Sequence, residues 1–277
     1  MSRGSGDGMA TFDHDGETLW YEVLGAGRPL VVVHGGLGLD HTYLRPAFEP
    51  LADEAQVVLL DLRANGRSTG DGVGMSMTQL ADDVEALCGH LGLERVALFG
   101  HSYGGFVALQ LALSHPERVD RLMLCDTDSR GPDEATIVGS LQRLGVDPSV
   151  LQAFEGPMDT HEDLLRVFDA VEPAYLPHST PGAARSGLSD TIWRREGAAG
   201  GDAALAGWDV GDRLGEVAAR TLVATGADDF LFPPARACLL QEGIPGARLK
   251  VFDRCGHLPH IEQPAEFDRA VREFVAL

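Results

Sequence analysis

The sequence predicts an α/β fold, with a mostly parallel central sheet flanked by helices and a helical insertion. Short apolar runs alternate with longer amphipathic segments in both halves of the chain. Several of these runs are continuously apolar, such as P-L-V-V-V-H at 29–34 and Q-V-V-L-L-D at 56–61, which is typical of strands buried on both faces. Strands that alternate with helices of about 10–15 residues form βαβ units, and such units build a parallel sheet.

The first half of the chain supplies most of the predicted strands. They lie at 18–24, 29–34, 56–61, 95–100 and 121–126. Apolar residues recur at helical spacing from Thr78 to Leu91, and Gly92 ends this helix. A second helix is predicted at 103–115, before Pro116, because proline lacks the backbone N–H that a helix interior needs.

The middle of the chain has a different composition. Between about 131 and 206 it is rich in Ala, Gly, Asp, Glu and Pro, which suits short helices joined by loops. The alternation then resumes, with strands expected at 220–226 and 248–253 and helices at 233–242 and 264–277. We therefore expect one α/β core, formed by 1–130 and 207–277, and a helical lid at 131–206.

The charge of the chain restricts its partners. Its 277 residues include 42 acidic and 22 basic ones, for a net charge of -20. Such a surface repels nucleic-acid phosphates, so we expect no nucleic-acid partner. No run of about 18 apolar residues occurs, so no membrane partner is expected either. The first eight residues lack the apolar region of a signal peptide and resemble a flexible leader.

The cysteines and histidines do not form a metal-binding pattern. The four cysteines (Cys88, Cys125, Cys238 and Cys255) lie far apart, and no C-x-x-C occurs. We expect free thiols in a reducing compartment, which points to the cytoplasm. His257 and His260 lie three residues apart, but no further cluster completes a zinc-type set. We therefore expect no metal and no cofactor.

The segment G-H-S-Y-G at 100–104 is the strongest candidate for chemistry. It follows a predicted strand and precedes a predicted helix, and its glycines permit a sharp turn that exposes Ser102 as a nucleophile. The backbone N–H of Tyr103, at the start of the helix, can then face a substrate carbonyl oxygen. The alternative is a serine that only completes a turn.

A serine nucleophile requires a base and an acid that orients the base. His257 is the predicted base, because it lies in a loop after the last predicted strand, and His260 is the alternative. Asp229 follows the strand at 220–226 and is the predicted acid. Asp228 and Asp126 are the alternatives for that role, and Asp126 ends another strand.

A second glycine cluster, V-V-V-H-G-G-L-G at 31–38, also follows a strand. Its glycines allow backbone N–H groups to approach a ligand, so Gly36 is predicted to complete an oxyanion hole with Tyr103. The alternative is a plain turn. His34 is expected to brace this loop by hydrogen bonding. The motif of a phosphate-binding loop, G-x-x-x-x-G-K-[ST], is absent from the sequence.

At these positions the chain resembles the α/β-hydrolase superfamily. The resemblance rests on five motifs in the family's order, namely H-G-G-L-G at 34–38, D-L-R-A-N-G-R-S at 61–68, G-H-S-Y-G-G at 100–105, G-A-D-D at 226–229 and G-H-L-P-H-I-E-Q-P at 256–264. It implies a triad of Ser102, His257 and Asp229, an oxyanion hole formed by Gly36 and Tyr103, and a lid after the sixth strand. In the second motif, a structural role is expected for Asp61, Arg63, Arg67 and Ser68.

Within the superfamily the chain looks similar to the proline iminopeptidase-like branch. H-G-G-x-G, D-x-R-x-N-G-R-S and an aromatic residue after the serine carry this likeness. Two positions depart from the branch. Phe230 stands where a glutamate commonly binds the substrate amine, and Leu37 stands where proline is usual. The lid residues Glu172 and Glu196 are alternative partners for an amine.

The serine restricts the chemistry that the resemblance implies. Haloalkane dehalogenases and epoxide hydrolases of this superfamily use aspartate at this position, and dienelactone hydrolases use cysteine. We therefore expect a serine hydrolase that cleaves an ester or lactone of a small, moderately apolar substrate through an acyl-enzyme. An aminopeptidase and a slowly hydrolysing ligand receptor are the alternatives.

Substrate contacts are predicted for three residues, Leu37, Trp193 and Phe230. Aromatic residues of the lid region and its border supply further apolar surface for the pocket, namely Phe154, Phe168, Tyr175 and Trp208. The sequence leaves open which of these aromatic side chains line the pocket and which only pack the lid onto the core.

Overall fold

A twisted sheet forms the centre of the computed structural model, which describes residues 8–36, 38–156 and 158–276. Within these ranges the sheet has eight strands: β1 Gly8–His14, β2 Glu17–Leu24, β3 Arg28–Val33, β4 Ala55–Leu60, β5 Val96–His101, β6 Val119–Cys125, β7 Arg220–Gly226 and β8 Arg248–Phe252. The central strands β3, β4 and β5 are almost entirely buried, in agreement with their continuous apolar runs.

The strand order brings the carboxyl ends of the central strands together. The order is β1-β2-β4-β3-β5-β6-β7-β8, with β1 and β2 antiparallel to their neighbours and all other pairs parallel. Leu30 of β3 pairs with Val57 of β4 on one side and with Ala97 of β5 on the other. The chain order thus reverses at β3, and a crevice outside the strand ends is expected there.

Helices cover both faces of the sheet. They are α1 Arg45–Phe48, α2 Met77–His90, α3 Tyr103–Ser114, α4 Glu134–Leu144, α5 His161–Tyr175, α6 Ala183–Gly187, α7 Arg195–Leu205, α8 Pro234–Gly243, α9 Pro259–Glu262 and α10 Pro264–Ala276. One apolar cluster contains residues of α2, α3 and α8, and another contains residues of α1 and α10. The predicted α/β fold with a mostly parallel sheet is confirmed.

The segment between β6 and β7 contains the helices α4 to α7. Two of them have strong start signals: Asp133 accepts a hydrogen bond from Thr136 N at 2.9 Å, and Thr160 forms a capping box with Asp163. Arg130 and Asp209 form an isolated β-bridge at its base. This is the region where the sequence places a helical insertion at 131–206.

The strand β1, which forms a hairpin with the predicted strand β2, is the main element that the sequence does not predict. β1 and β2 are joined by Asp15 and Gly16, whose φ angles of 46° and 78° match a type I′ turn. The dipeptide D-G is the signal for this turn. Residues 1–7 of the expected flexible leader lie outside the described residues, and Gly8 belongs to β1.

No helix in the described part of the chain combines the length and the apolar character that a bilayer crossing needs. The cytoplasmic location and the lack of a nucleic-acid partner remain predictions.

Candidate active site

Ser102 lies in a strained turn between β5 and α3. Its φ of 52° and ψ of -119° place a residue with a side chain in a region that usually costs about 1–3 kcal/mol. The turn is held by Ser102 N, which donates to Cys125 O at 2.9 Å, and by Thr127 Oγ1, which donates to Ser102 O at 2.8 Å. A side chain at Gly104 would collide with the backbone of β3 and the loop after it. The glycine is therefore required for this close approach.

His257 and Asp229 meet beside this turn. Nδ1 of His257 lies 2.9 Å from Oδ2 of Asp229, and both side chains are buried. Oδ1 of Asp229 accepts hydrogen bonds from Leu231 N at 2.8 Å and Phe232 N at 3.2 Å, which fix the carboxylate. His257 N donates to Tyr175 O at 3.0 Å, so the histidine loop is also tied to the end of α5.

The alternative base has a different environment. His260 is buried between the rings of Tyr43 and Phe267. Burial, with a smaller contribution from His257, lowers the pKa of His260 to about 3, so its imidazole is neutral near pH 7. Among the described residues neither of its ring nitrogens has a hydrogen-bond partner. A packing role follows for His260.

The two alternative acids also differ from Asp229. Asp228 points toward the insertion, where its Oδ2 lies 2.6 Å from Nε2 of His178. Asp126 follows β6, is fully buried, and accepts a hydrogen bond from Gly226 N at 2.8 Å. An oxygen of Asp126, an oxygen of Asp229 and a ring nitrogen of His257 all lie within 4.8 Å of one another.

A chain of hydrogen bonds connects the glycine loop after β3 to His257. Gly35 N donates to the hydroxyl of Tyr43 at 2.7 Å, and this hydroxyl lies 2.7 Å from Nδ1 of His101. Nε2 of His101 lies 2.9 Å from His257 O, which can only accept. His101 is therefore assigned as the neutral Nε2–H tautomer, and burial lowers its pKa well below the ordinary value.

Sequence analysis gave no role to Tyr43 or His101. His101 stands within the G-x-S-x-G segment, at a position where that pattern accepts any residue. Tyr43 belongs to no motif, and only its pairing with His101 in the folded chain reveals it. His34 does brace its loop as expected, because its Nε2 accepts from Leu62 N at 3.0 Å and its Nδ1 lies 2.9 Å from Gly35 O.

A cavity of about 440 Å³ lies between the glycine loop after β3 and the insertion. Its lining includes Gly36 and Tyr175, and the ring of Tyr175 contacts that of His257, with 5.5 Å between ring centroids. Its walls are mostly apolar and include Leu39, Phe154, Met158, Leu164, Phe168, Trp193 and Ala198, with Arg195 as the charged residue. Its size and lining are typical of small-molecule sites.

The cavity lining does not include Phe230, one of the three predicted substrate contacts. Phe230 has no exposed surface and packs against Tyr175 at 5.0 Å between ring centroids, which is a packing role in place of the predicted substrate contact. Leu37 lies outside the described residues. Trp208 also packs away from the cavity, where its Nε1 donates to Gln110 Oε1 at 2.9 Å.

The lid carboxylates do not form an amine site at the cavity. Glu172 is buried and accepts hydrogen bonds from Gly182 N at 2.9 Å and Ala183 N at 3.2 Å. Glu196 is half exposed, with its Oε2 3.6 Å from Nε of Arg194. Glu172 therefore organises the start of α6, and Glu196 belongs to the surface.

The second motif forms a buried ionic network, as expected for a structural turn. Asp61 bonds to Nδ1 of His41 at 2.6 Å and to Arg67 N at 2.9 Å. Arg63 makes a bidentate pair with Asp83, and Ser68 Oγ donates to Asp61 O at 2.6 Å. The Arg67 guanidinium lies 2.9 Å from Asp40 and 3.3 Å from Asp61, so its charge offsets part of the negative charge of these two carboxylates.

Comparison with known proteins agrees with this architecture. Residues 28–264 match the family model described as alpha/beta hydrolase fold. A protein of Agrobacterium fabrum named as the carbamate hydrolase RutD is 30% identical over 261 residues, which cover 90% of this chain and 94% of that protein. The 2-hydroxy-6-oxo-6-phenylhexa-2,4-dienoate hydrolase of Comamonas testosteroni is 31% identical, covering 92% of this chain and 90% of the relative.

A solved structure shows the same fold at similar identity. The thermophilic esterase from Thermogutta terrifontis, with malate bound, superimposes with a TM-score of 0.76 at 29% identity, covering 97% of both chains. None of the relatives described here is a proline iminopeptidase, so the branch expected from the sequence is not shown. The matched family model and these relatives establish that the chain belongs to the α/β hydrolase fold family and is a hydrolytic enzyme of that class.

Proposed function

We propose that this enzyme is a serine hydrolase that cleaves a carboxylic ester or lactone of a small, moderately apolar substrate through an acyl-enzyme. The observation that carries the proposal is the place of the apolar cavity. Its lining includes Tyr175, whose ring contacts His257, and Gly36, which follows a glycine packed so closely on Ser102 that a Cβ there would collide with it. The likeness to an esterase at 29% identity supports the same bond type.

The residues take the following roles in the proposed mechanism. His257 accepts the proton of Ser102 as the serine oxygen attacks the substrate carbonyl. The N–H groups of Gly36 and Tyr103 stabilise the oxyanion, where one such donor contributes about 3–4 kcal/mol in a serine protease. His257 then protonates the leaving group and activates the water that releases the acid. Asp229 holds the imidazole tautomer.

The insertion acts as a lid in this proposal. The helices α5 and α7 and the segment before α7 supply much of the cavity wall. They determine which acyl groups fit beside Ser102, and Trp193 is the largest side chain among them. The mostly apolar lining favours neutral acyl chains over charged ones.

The aminopeptidase alternative has no support from the relatives or from the lid. The buried Phe230 has no carboxylate that could bind a substrate amine. The carboxylate of Glu172 already accepts hydrogen bonds from two backbone N–H groups. The names of two relatives add a carbamate and a dienoate to the substrates worth testing.

The first experiment compares wild type with Ser102→Ala on nitrophenyl esters of increasing chain length and on a prolyl nitroanilide. We expect fast ester cleavage, an inert anilide, and a loss of kcat of at least about 10³-fold in the variant. A carbamate and a dienoate are assayed in parallel. Equal rates for the wild type and the variant would contradict the nucleophile assignment. One equivalent of product followed by near-zero turnover would instead favour the receptor alternative.

A further inference from the structure

Two aspartates face each other behind the base. Asp126 follows β6 and Asp229 follows β7, and these strands are neighbours in the sheet. Both carboxyl groups are buried, with at most 1% of either residue exposed. An oxygen of each and a ring nitrogen of His257 lie within 4.8 Å of one another. Asp126 is thus a second buried carboxyl group beside the proposed triad, and the mechanism above gives it no role.

The surroundings of Asp126 favour a proton on this carboxyl. Two hydrogen bonds act against this, because donors favour the charged carboxylate: Gly226 N donates to Oδ1 at 2.8 Å, and Cys125 Sγ donates to Oδ2 at 3.2 Å. The titratable groups that face it from neighbouring elements are Asp229, His257, Cys125, Cys255 and Tyr43. Burial, followed by the negative charge of Asp229, raises the pKa of Asp126 well above its ordinary value. When oxygens of two buried carboxyl groups lie within 4.8 Å of each other, the repulsion between like charges favours a proton on one of them.

We propose that Asp126 is a positioning residue that keeps its proton, donates it in a hydrogen bond to Asp229, and can supply the single negative charge behind His257 when Asp229 cannot. The inference rests on the proposed function, because it assigns Asp229 to the orientation of His257. The pair then carries one proton and one charge. If Asp229 loses its charge, Asp126 releases its proton to solvent, and the total charge beside the imidazole is preserved.

Asparagine substitutions separate these roles, since they keep the shape of the side chain and remove its charge. In Asp126→Asn the amide still donates to Asp229, and its oxygen still accepts from Gly226 N. In Asp229→Asn the oxygen still accepts from Leu231 N and Phe232 N, while the charge is removed. Asp126 is then the remaining carboxyl of the pair near His257.

The test is a double-mutant cycle on the ester that wild type hydrolyses fastest. In the wild-type background we expect Asp126→Asn to lower kcat by about 2–5-fold. In the Asp229→Asn background the same substitution should lower it by at least about 20-fold, because no carboxylate then remains behind His257. The kcat of Asp229→Asn should rise with pH as Asp126 ionises, and the double variant should lack this limb.

Asp128→Asn is the matched control. Asp128 is a buried carboxylate two residues further on that pairs with Arg236. Its substitution should lower kcat by the same factor in both backgrounds. If Asp126→Asn also lowers kcat by the same factor in both backgrounds, Asp126 has only a structural role and the proposal is wrong.

An infrared measurement covers the case in which the double variant does not fold. Wild type near pH 7 in deuterated buffer should show the carbonyl stretch of a buried protonated carboxylic acid, and Asp126→Asn should lack this band. Identical spectra would overturn the proposal. This measurement does not depend on turnover. If Ser102→Ala proves as active as wild type, the proposed function fails, while the spectrum still reports whether the two aspartates share a proton.

Discussion

A single phenol, Tyr43, connects the predicted oxyanion loop to the predicted base. Its hydroxyl accepts from Gly35 N and donates to Nδ1 of His101, whose Nε2 donates to His257 O. All the side chains in this chain of bonds are buried. A buried donor or acceptor that loses its partner costs about 1–3 kcal/mol, so the chain is expected to fix both the Gly35 loop and the His257 loop.

Tyr43→Phe should therefore lower both stability and kcat. The substitution leaves Gly35 N and Nδ1 of His101 without their partner, which should reduce the free energy of unfolding by about 1–3 kcal/mol. Because Gly35 precedes Gly36, the loss of order should also lower kcat, by about tenfold, with a smaller change in KM. Urea unfolding and ester kinetics measure the two effects.

Tyr21→Phe is the control for Tyr43→Phe. The hydroxyl of Tyr21 lies 3.2 Å from Nε2 of His90, on the far side of the sheet from this loop. It should lower stability modestly and leave kcat near the wild-type value. A Tyr43→Phe enzyme with wild-type kcat would mean that this hydrogen-bond chain does not support catalysis.

At the scale of elements, the insertion is held to the core by polar contacts at several points. The guanidinium of Arg194 donates to Ser68 O at 2.5 Å and Gly70 O at 3.0 Å, and Arg194 N donates to Gly38 O at 2.8 Å. The hydroxyl of Tyr103 donates to Gly201 O, within α7, at 3.1 Å. Tyr103, the residue after Ser102, thus contacts both the core and the insertion, which places α7 relative to the Ser102 turn.

Trp193→Ala should change the acyl chain-length preference. Trp193 precedes α7 and forms part of the cavity wall, so its removal enlarges the cavity. We expect the optimum in kcat/KM to move by at least two carbon atoms toward longer nitrophenyl esters. The matched control is Trp208→Ala, because Trp208 packs on Phe106 outside the cavity lining. That variant should lose stability and keep the wild-type preference. An unchanged profile in Trp193→Ala would remove this residue from the substrate site.

The sequence predicts elements well where one local pattern determines them. Buried strands such as β3 and β4 need a continuous apolar run, and the run at 29–34 differs from the observed Arg28–Val33 by one residue at each end. The turn at Ser102 is encoded by its glycines and by the strand and helix that flank it. β1 was missed because its alternating, partly exposed pattern on an edge of the sheet is weak.

Contacts between distant segments were harder to predict. Asp126 and Asp229 are both recognisable as carboxylates at strand ends, but only the strand order brings them together. Glu172 has the composition of a solvated lid acid, yet the fold uses it to bind the backbone at the start of α6. Tyr43 reaches His101 across 58 positions of the chain, a distance at which no sequence pattern operates.

At the scale of the whole molecule, three buried histidines have lowered pKa values in the folded state. Burial lowers the pKa values of His34, His101 and His260, the last to about 3. In the unfolded chain each has a pKa near 6.5. Below pH 6.5 these histidines bind protons in the unfolded chain but stay neutral in the folded chain, so acid favours unfolding. The pKa of Asp126 is raised, and this carboxyl acts in the opposite direction, because the folded chain holds a proton that the unfolded chain releases.

His260→Phe should reduce the acid sensitivity of the enzyme. Between pH 6.5 and about 3 the folded state keeps His260 neutral, so this residue makes the free energy of unfolding fall by about 1.4 kcal/mol per pH unit of acidification. Between pH 7.5 and 5 the loss amounts to about 2 kcal/mol. Phenylalanine retains a ring between Tyr43 and Phe267 and binds no proton. Urea unfolding at pH 7.5, 6 and 5 should therefore give a shallower pH dependence for the variant. Parallel curves for variant and wild type would mean that His260 accepts a proton in the folded state, which would require a partner for its ring nitrogens.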